Sequence, residues 1–336
     1  MDKHILVTGG AGFIGSHLSE ALLKSGQKVV VLDNFNDFYD PEIKKDNIKS
    51  IKDKLNDLEI PDDHFIIIEG DIRDAEQMDK LFATYSIPLV VHLAAMAGVR
   101  PSISAPLLYN DVNINGTLNL LEMCRKYGVK KFVFASSSSV YGNNKKVPFS
   151  ETDFVDYPIS PYAATKRAGE LLCHTYHHLY GMDIACLRFF TVYGPGQRPD
   201  LAIHKFTKLI FNDEEIPFYG DGTTERDYTY IDDIIDGVVK TINWVQAGHG
   251  RYEIFNLGES RTISLKEMVA TLEKEIGKKA KINVLPMQPG DVQRTYADIT
   301  KAQKILGYQP ATAFEDGIKQ FIQWYREVNN ISLINV

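Results

Sequence analysis

The sequence predicts an α/β protein in which a doubly wound parallel sheet is followed by a smaller C-terminal α/β domain. Three observations indicate this fold. Short, almost wholly apolar runs alternate with longer amphipathic stretches through the first half, a glycine-rich turn directly follows the first run, and the alternation ends after Phe189. Apolar runs of this length are typical of strands buried on both faces, and the stretches between them supply crossover helices.

The strands follow in order from the apolar runs. They are predicted at 5–8, 29–32, 65–68, 89–93, 131–135, 184–189 and 252–257. The polar stretch 34–63 interrupts the alternation and is predicted to form a helical insertion at the rim of the sheet. Later helices are predicted at 265–276 and 314–327. These assignments place the first domain at 1–190, with 228–258 returning to it, and the second domain at 191–227 and 259–330.

Composition and charge argue against several classes of protein. The 336 residues carry a net charge of -7, which does not favour nucleic acid or an anionic membrane as a partner. The chain has no apolar run near the roughly 20 residues of a membrane helix, and no signal peptide is expected. Three widely spaced cysteines indicate a reducing compartment, so we expect a cytoplasmic protein. His174 and His178 have no carboxylate cluster beside them, and no metal site is predicted.

The glycine-rich turn TGGAGFIG points to a dinucleotide. Gly9, Gly12 and Gly15 let the backbone approach a pyrophosphate, and the helix that begins at Phe13 offers free N–H groups. Asp33 ends the second strand, where it can accept both ribose hydroxyls of NAD and would repel the 2′-phosphate of NADP. A Rossmann-type domain that binds NAD is therefore predicted, the alternative being a turn without a ligand. Further residues predicted to contact NAD are Ile14, Asn34, Asp71, Ile72, Leu93, Ala94, Ala95 and Asn113.

The segment SPYAATK suggests an acid–base pair. Tyr162 and Lys166 are four residues apart on a predicted helix and share a face. The pKa of a free tyrosine is near 10, and an adjacent ammonium beside an oxidised nicotinamide is expected to lower it. The phenolate could then take a proton from a sugar hydroxyl while hydride leaves the same carbon. The alternative is an ordinary Tyr–Lys pair on a helix surface.

Together, TGGAGFIG, ASSSSVYG, YAATK and RDYTYIDD resemble the extended short-chain dehydrogenase/reductases, and within them the nucleotide-sugar epimerases, over nearly the whole chain. The resemblance implies that Ser137 presents its hydroxyl to O4 of the sugar, with Ser136 and Ser138 beside it. Relatives that eliminate water carry an acidic pair at Ser138 and Ser139, and those that decarboxylate a 4-keto uronate carry glutamate at Ser139. Serines at these positions therefore favour epimerisation.

Other segments indicate which sugar is bound. LDNFNDFYDP, AGVR and RPDLA resemble segments of UDP-glucuronate 4-epimerases, although Leu201 stands where those sequences carry methionine. The resemblance implies that Arg198 or Thr191 meets the C6 carboxylate, with Arg100 as a weaker candidate, since an arginine fork can grip a carboxylate. It also implies that Arg226 meets the diphosphate and that Asp291 lies near the uridine ribose.

The function expected from this resemblance is reversible C4 epimerisation of UDP-glucuronate to UDP-galacturonate through a transient 4-keto sugar, with NAD recycled in the site. The second domain would hold the nucleotide sugar. A homodimer is also implied, through the predicted helical stretches 107–127 and 161–180. Three alternatives stay open: a 4-epimerase for UDP-glucose or UDP-N-acetylglucosamine, a UDP-glucuronate decarboxylase, and a non-catalytic NAD-binding scaffold.

Overall fold

A computed structural model of the protein describes residues 2–287 and 292–331. Its first half alternates strands and helices. In chain order these are β1 (Ile5–Thr8), α1 (Phe13–Lys24), β2 (Val29–Asp33), α2 (Pro41–Asp57), β3 (Phe65–Glu69), α3 (Ala75–Thr84), β4 (Leu89–His92), α4 (Val99–Ser104), α5 (Pro106–Asn110), α6 (Thr117–Tyr127), β5 (Lys131–Ser137), α7 (Pro161–Tyr180) and β6 (Asp183–Phe189). A π-helical turn, Asp111–Gly116, joins α5 to α6.

The second half has shorter strands. It contains β7 (Thr191–Tyr193), α8 (Ala202–Phe211), β8 (Glu215–Tyr219), β9 (Glu225–Tyr230), α9 (Ile231–Gln246), β10 (Tyr252–Leu257), β11 (Thr262–Ser264), α10 (Leu265–Ile276), β12 (Lys281–Leu285), α11 (Thr300–Leu306) and α12 (Phe314–Val328). The strands and helices predicted from the sequence agree with these bounds to within two residues. The largest difference is at β5, which continues two residues beyond its predicted end.

The central sheet confirms the predicted fold class. Its seven strands run in the order β10-β6-β5-β4-β1-β2-β3, and every neighbouring pair is parallel. The chain adds strands on one side of β1 as far as β3 and then on the other side from β4 onward. A crevice therefore forms between the carboxyl ends of β1 and β4. Ligands of open α/β sheets bind in such a crevice.

Alternating residues of the sheet supply two apolar layers, because successive side chains on a strand point to opposite faces. Ile5 and Val7 belong to a cluster that includes buried residues of α1 and α9, whereas Leu6 belongs to one that includes residues of α3, α6 and α7. Both faces are therefore covered by helices. In the described ranges, no helix is long and apolar enough to cross a membrane.

The second half contributes two small sheets beside the crevice. One has the order β11-β9-β7, and the other pairs β12 with β8. Buried side chains of α8, α10 and α12 belong to the same apolar cluster as α1 and α9, so the two halves share a continuous core. Because α9 and β10 return to the central sheet, the chain crosses between the halves more than once.

Candidate active site

A cavity of about 490 Å³ lies at the carboxyl ends of the central strands and is closed on one side by the second half. Its size is that of a small-molecule site. Most of the residues predicted for cofactor and substrate line it: Gly9, Gly12, Phe13, Ile14, Gly15, Asp33, Asn34, Asp71, Ile72, Leu93, Ala94, Ala95, Ser137, Ser138, Tyr162, Lys166, Thr191, Arg198 and Arg226.

The glycine turn brings backbone amides to the cavity wall. Gly9 has a φ of +70°, which favours glycine, and a Cβ on Gly15 would lie 2.1 Å from the Gly9 carbonyl oxygen. A Cβ on Gly12 would occupy the cradle at the start of α1, near the Tyr39 hydroxyl. Gly12 also gives α1 no side-chain cap, so the first N–H groups of the helix are available to an anion. This geometry fits a pyrophosphate.

Two carboxylates lie beside this turn. Asp33 accepts hydrogen bonds from the backbone N–H groups of Ala11 (3.2 Å) and Phe35 (2.9 Å). Asp71 pairs with Arg73 at 2.8 Å, and this partner lowers the pKa of Asp71 to about 2. Both groups can accept hydrogen bonds from ribose hydroxyls or an adenine amine. The turn and these acceptors together fit NAD.

Asn113 is not among the described residues that line the cavity, and its predicted contact with the cofactor stays a prediction. Its side-chain amide exchanges two hydrogen bonds with the backbone of Met96, at 2.8 and 3.0 Å, and donates to the Thr165 hydroxyl at 3.0 Å. These partners occupy the amide. Asn113 therefore ties the loop after β4 to α7.

Tyr162 and Lys166 lie on α7, whose first turn is capped by the Ser160 hydroxyl. The Lys166 ammonium is buried, donates to the Ala135 carbonyl at 2.7 Å and lies 5.9 Å from the centre of the Tyr162 ring. Ser137 is hydrogen-bonded to the Tyr162 phenol and also accepts the Ser139 N–H at 3.1 Å. The predicted Tyr–Lys–Ser constellation is therefore assembled on one wall.

The side chains of the protein do not by themselves lower the pKa of Tyr162, and the predicted effect of Lys166 together with an oxidised nicotinamide stays a prediction. Burial raises the pKa of the Tyr162 phenol, and this effect outweighs the opposing effects of the Ser137 hydrogen bond and the Arg198 charge. Burial also lowers the pKa of Lys166 to about 8, so its positive charge is easily lost. The sequence indicates which side chains meet, but it does not show how strongly they are desolvated. Ionisation of Tyr162 therefore requires positive charge beyond that of Lys166.

The serine-rich strand end carries hydroxyls without acids. Ser139 Oγ is buried on the cavity wall and has no hydrogen-bond partner within the described ranges. Among the described residues that line the cavity, the only carboxylates are Asp33 and Asp71, and both lie at the end beside the glycine turn. The wall around Tyr162 therefore offers hydroxyl groups as proton donors and acceptors. Its described lining residues include no carboxyl group.

Arg198 lies on the cavity wall in the loop after β7. Its Nε and Nη2 donate to the two carboxylate oxygens of Asp200 at 2.9 and 2.7 Å, and its guanidinium lies over the Phe38 ring, 5.3 Å from the ring centre. The third nitrogen of the Arg198 guanidinium, Nη1, takes no part in this contact with Asp200. Thr191 also lines the cavity, at the start of β7.

The remaining predicted cations have different surroundings. Arg100 is exposed, is not among the described residues that line the cavity, and lies over the Tyr219 ring at 4.6 Å; its assignment to the carboxylate stays a prediction. Arg226 lines the cavity and donates to its neighbour's carbonyl, that of Glu225, at 2.8 Å. Asp291 lies outside the residues that the structure describes.

The cavity lining includes residues that were not assigned a role from the sequence, among them Phe38, Tyr39 and Lys44. They come from the insertion after Asp33, and the Lys44 ammonium lies 3.8 Å from the Asp33 carboxylate. An apolar Phe-Tyr pair inside an otherwise polar stretch is the signal that could have identified them. The part of the chain that the structure describes contains no group of three or more potential metal ligands.

Comparisons with known proteins agree with this geometry. A family model described as GDP-mannose 4,6 dehydratase matches residues 6–321. A UDP-glucuronate 4-epimerase of Thermodesulfobacterium geofontis is 46% identical over 332 residues, which cover 98% of each chain. The crystal structure of UDP-glucuronic acid 4-epimerase from Bacillus cereus, with UDP-glucuronic acid and NAD, is 40% identical with a TM-score of 0.87, and covers 97% of this chain and 99% of that one.

A neutral-sugar enzyme is also similar. The crystal structure of UDP-glucose 4-epimerase from Thermotoga maritima, with UDP-glucose, is 34% identical with a TM-score of 0.85. The match covers 97% of this chain and 99% of that one. The overall fold is thus common to proteins named for different sugars, and the choice of sugar must be argued from individual side chains.

Proposed function

Because the chain belongs to the GDP-mannose 4,6 dehydratase family of extended short-chain dehydrogenase/reductases, we propose that it is an NAD-dependent epimerase that interconverts UDP-glucuronate and UDP-galacturonate. One observation carries the proposal: Tyr162, Lys166 and Ser137 share a cavity wall with Arg198. None of the described lining residues beside them has a carboxyl group. Residues 1–190 and 228–258 would hold the cofactor, and 191–227 and 259–330 the nucleotide sugar.

Each catalytic side chain has a distinct role. Tyr162 takes the O4 proton of the sugar, and Ser137, which is hydrogen-bonded to that phenol, holds O4 in line with it. Lys166 binds the ribose and adds positive charge near the phenol. NAD, when bound along the glycine turn, supplies the hydride acceptor and a positive nicotinamide that favours the phenolate. Tyr162 returns the proton when the other face of the 4-keto sugar is reduced.

The 4-keto uronate is a β-keto acid, which loses carbon dioxide when its carboxylate bond to C5 aligns with the carbonyl π system. A hydrogen-bonded clamp that fixes the carboxylate prevents this alignment by orientation. Arg198 is suited to this role because Asp200 and Phe38 already hold its guanidinium. Thr191 can donate a second hydrogen bond, and Arg226 would hold the diphosphate.

The likeness to UDP-glucose 4-epimerase supports a second candidate, in which the chain acts on a neutral sugar. Arg198 argues against it, since the glucose ring of UDP-glucose has no carboxylate that this guanidinium on the cavity wall could bind. We also propose a homodimer. Leu107, Leu171 and Leu179 are 84%, 53% and 61% exposed on the helical stretches 106–127 and 161–180, and a second copy would cover them.

Purified protein incubated separately with UDP-glucuronate and UDP-glucose tests the proposal, with the products resolved by anion-exchange chromatography. UDP-galacturonate is expected from the first substrate, at a kcat/KM well above that for conversion of UDP-glucose. Efficient formation of UDP-galactose with little uronate turnover would establish the neutral-sugar alternative. UDP-xylose as the main product would indicate a decarboxylase. A protein that yields none of these products, and that also leaves UDP-N-acetylglucosamine unchanged in a third incubation, would be a scaffold.

A further inference from the structure

A buried ion pair lies behind the serine-rich strand end and takes no part in the mechanism above. Arg188 on β6 donates from Nε and Nη2 to the two carboxylate oxygens of Glu170 on α7, at 2.8 and 2.9 Å. The side chains are 1% and 0% exposed. Burying two charges in this way requires further hydrogen bonds to offset the lost hydration, and a well-packed apolar pair often stabilises a fold as much. Stability alone therefore does not explain the pair.

The hydrogen bonds around the pair reach the segments that carry the catalytic groups. Ser136, which also lines the cavity, donates its hydroxyl to Glu170 at 2.6 Å, and it is the neighbour of Ser137 on β5. Arg188 Nη1 donates to the Tyr141 hydroxyl at 3.0 Å, in the turn that follows Ser139. Tyr141 in turn donates to the Asn256 side chain on β10 at 2.7 Å.

Glu170 lies on the same face of α7 as Tyr162 and Lys166. It lies four residues after Lys166 and eight after Tyr162, so all three residues fall within about 100° of each other around α7. The Ser136–Glu170 hydrogen bond and the Lys166–Ala135 hydrogen bond, at 2.6 and 2.7 Å, therefore join two consecutive turns of α7 to two consecutive residues of β5. Together they set the distance between the Ser137 hydroxyl and the Tyr162 phenol.

We propose that Ser136, Glu170 and Arg188 are positioning residues, which hold the end of β5 against α7 so that Ser137 and Tyr162 meet O4 of the sugar together. The proposal rests on the proposed function, because it assigns the network to the proton-transfer geometry of that reaction. It predicts that loosening the strand end slows the chemical step without weakening substrate binding. A displacement near 1 Å at reacting groups can cost on the order of 100-fold in rate.

Ser136→Ala is the most selective test. It removes one hydrogen bond and leaves the Arg188–Glu170 pair intact, so no buried charge loses its partner. We expect kcat for UDP-glucuronate to fall roughly tenfold with KM within about twofold of the parent, because the strand end shifts by a fraction of an ångström. Ser136→Thr keeps the hydroxyl and should recover most of kcat. The NAD content of each variant, measured after denaturation, excludes cofactor loss as the cause.

The same strands offer a matched control at their opposite ends. Lys131 at the start of β5 pairs with Asp183 at the start of β6 at 2.7 Å, and Asp183 is 4% exposed. Asp183→Asn should lower the melting temperature and leave kcat close to that of the parent. The inference is overturned if Ser136→Ala keeps parental kcat, if Thr fails to restore kcat, or if Asp183→Asn reduces kcat as much. A parent enzyme that does not epimerise UDP-glucuronate would instead remove the proposed function.

Discussion

Replacing Arg198 by alanine should change the choice of sugar more than it changes the fold. The guanidinium lies on the cavity wall and is held by Asp200 and Phe38, while its Nη1 end lies outside the Asp200 contact. Asp200 is 38% exposed, so water can solvate it once its partner is lost. A pair of this exposure contributes about 0–1 kcal/mol, and the melting temperature of Arg198→Ala should therefore stay close to that of the parent.

The expected loss of activity follows from the bonds to the carboxylate. A hydrogen bond to a charged group contributes about 1.5–3 kcal/mol, and each 1.4 kcal/mol is a factor of ten. Arg198→Ala should therefore lower kcat/KM for UDP-glucuronate by roughly 10–150-fold. The lower kcat/KM for UDP-glucose should change by less than about threefold, because this sugar has no carboxylate that Arg198 could bind. Some UDP-pentose should accumulate, since the carboxylate of the 4-keto uronate is no longer fixed.

The assay compares both substrates for parent and variant, with products resolved by anion-exchange chromatography. Each protein is measured at its own pH optimum, because the Arg198 charge also lowers the pKa of Tyr162. Arg261→Ala is the control, since Arg261 is 58% exposed and pairs only distantly with Glu315, at 4.0 Å. Equal losses for both substrates, or unchanged uronate kinetics without pentose, would refute the carboxylate clamp.

Three further changes test other parts of the site. Tyr162→Phe should lower kcat by roughly 10²–10⁴-fold with bound NAD retained, and near-parental turnover would remove Tyr162 as the base. Asp33→Asn should weaken NAD binding about tenfold or more and admit NADP more readily, as measured by cofactor titration; unchanged selectivity would contradict the ribose role. Burial holds His92 neutral with a pKa of about 3, below its unfolded value of 6.5, so its contribution to stability is present above pH 6.5 and is lost as pH falls toward 3. Urea unfolding should show about 2 kcal/mol less stability at pH 5 than at pH 7 from this group, and the loss should be smaller in His92→Gln.

The sequence predicted the fold well because parallel strands leave a strong signal. Residues such as Val29 to Leu32 are apolar on both faces, and the glycine turn fixes where the first helix starts. The end of β5 was less predictable. Serine has no strong preference for strands, and β5 continues to Ser137 where the Ser136 hydroxyl has a buried carboxylate as its partner. That partner is distant in sequence and cannot be identified from a local pattern.

Arg100 and Asn113 show that a motif does not fix the direction of a side chain. Arg100 follows Val99, which lines the cavity, but successive helical residues point about 100° apart and Arg100 turns toward Tyr219. Asn113 belongs to a π-helical turn, and its amide is used by the loop at Met96. In both cases the motif lies at the site while the side chain points elsewhere. Arg198 and Asp200 are two residues apart, so the sequence alone also allowed an ion pair between them.

The distribution of charge along the cavity gives the strongest argument about the reaction. Within the described lining, the carboxylates Asp33 and Asp71 lie at the ribose end, whereas Lys166 and Arg198 lie beside Tyr162. A uronate in that half of the cavity meets positive charge that can hold its carboxylate, and Arg198 also favours the tyrosinate. A carboxyl side chain placed at Ser139 would offer a proton near C5. A serine at this position therefore favours retention of the carboxylate as well as epimerisation at C4, because the proposed Arg198 clamp meets no competing carboxyl group on the described lining around Tyr162.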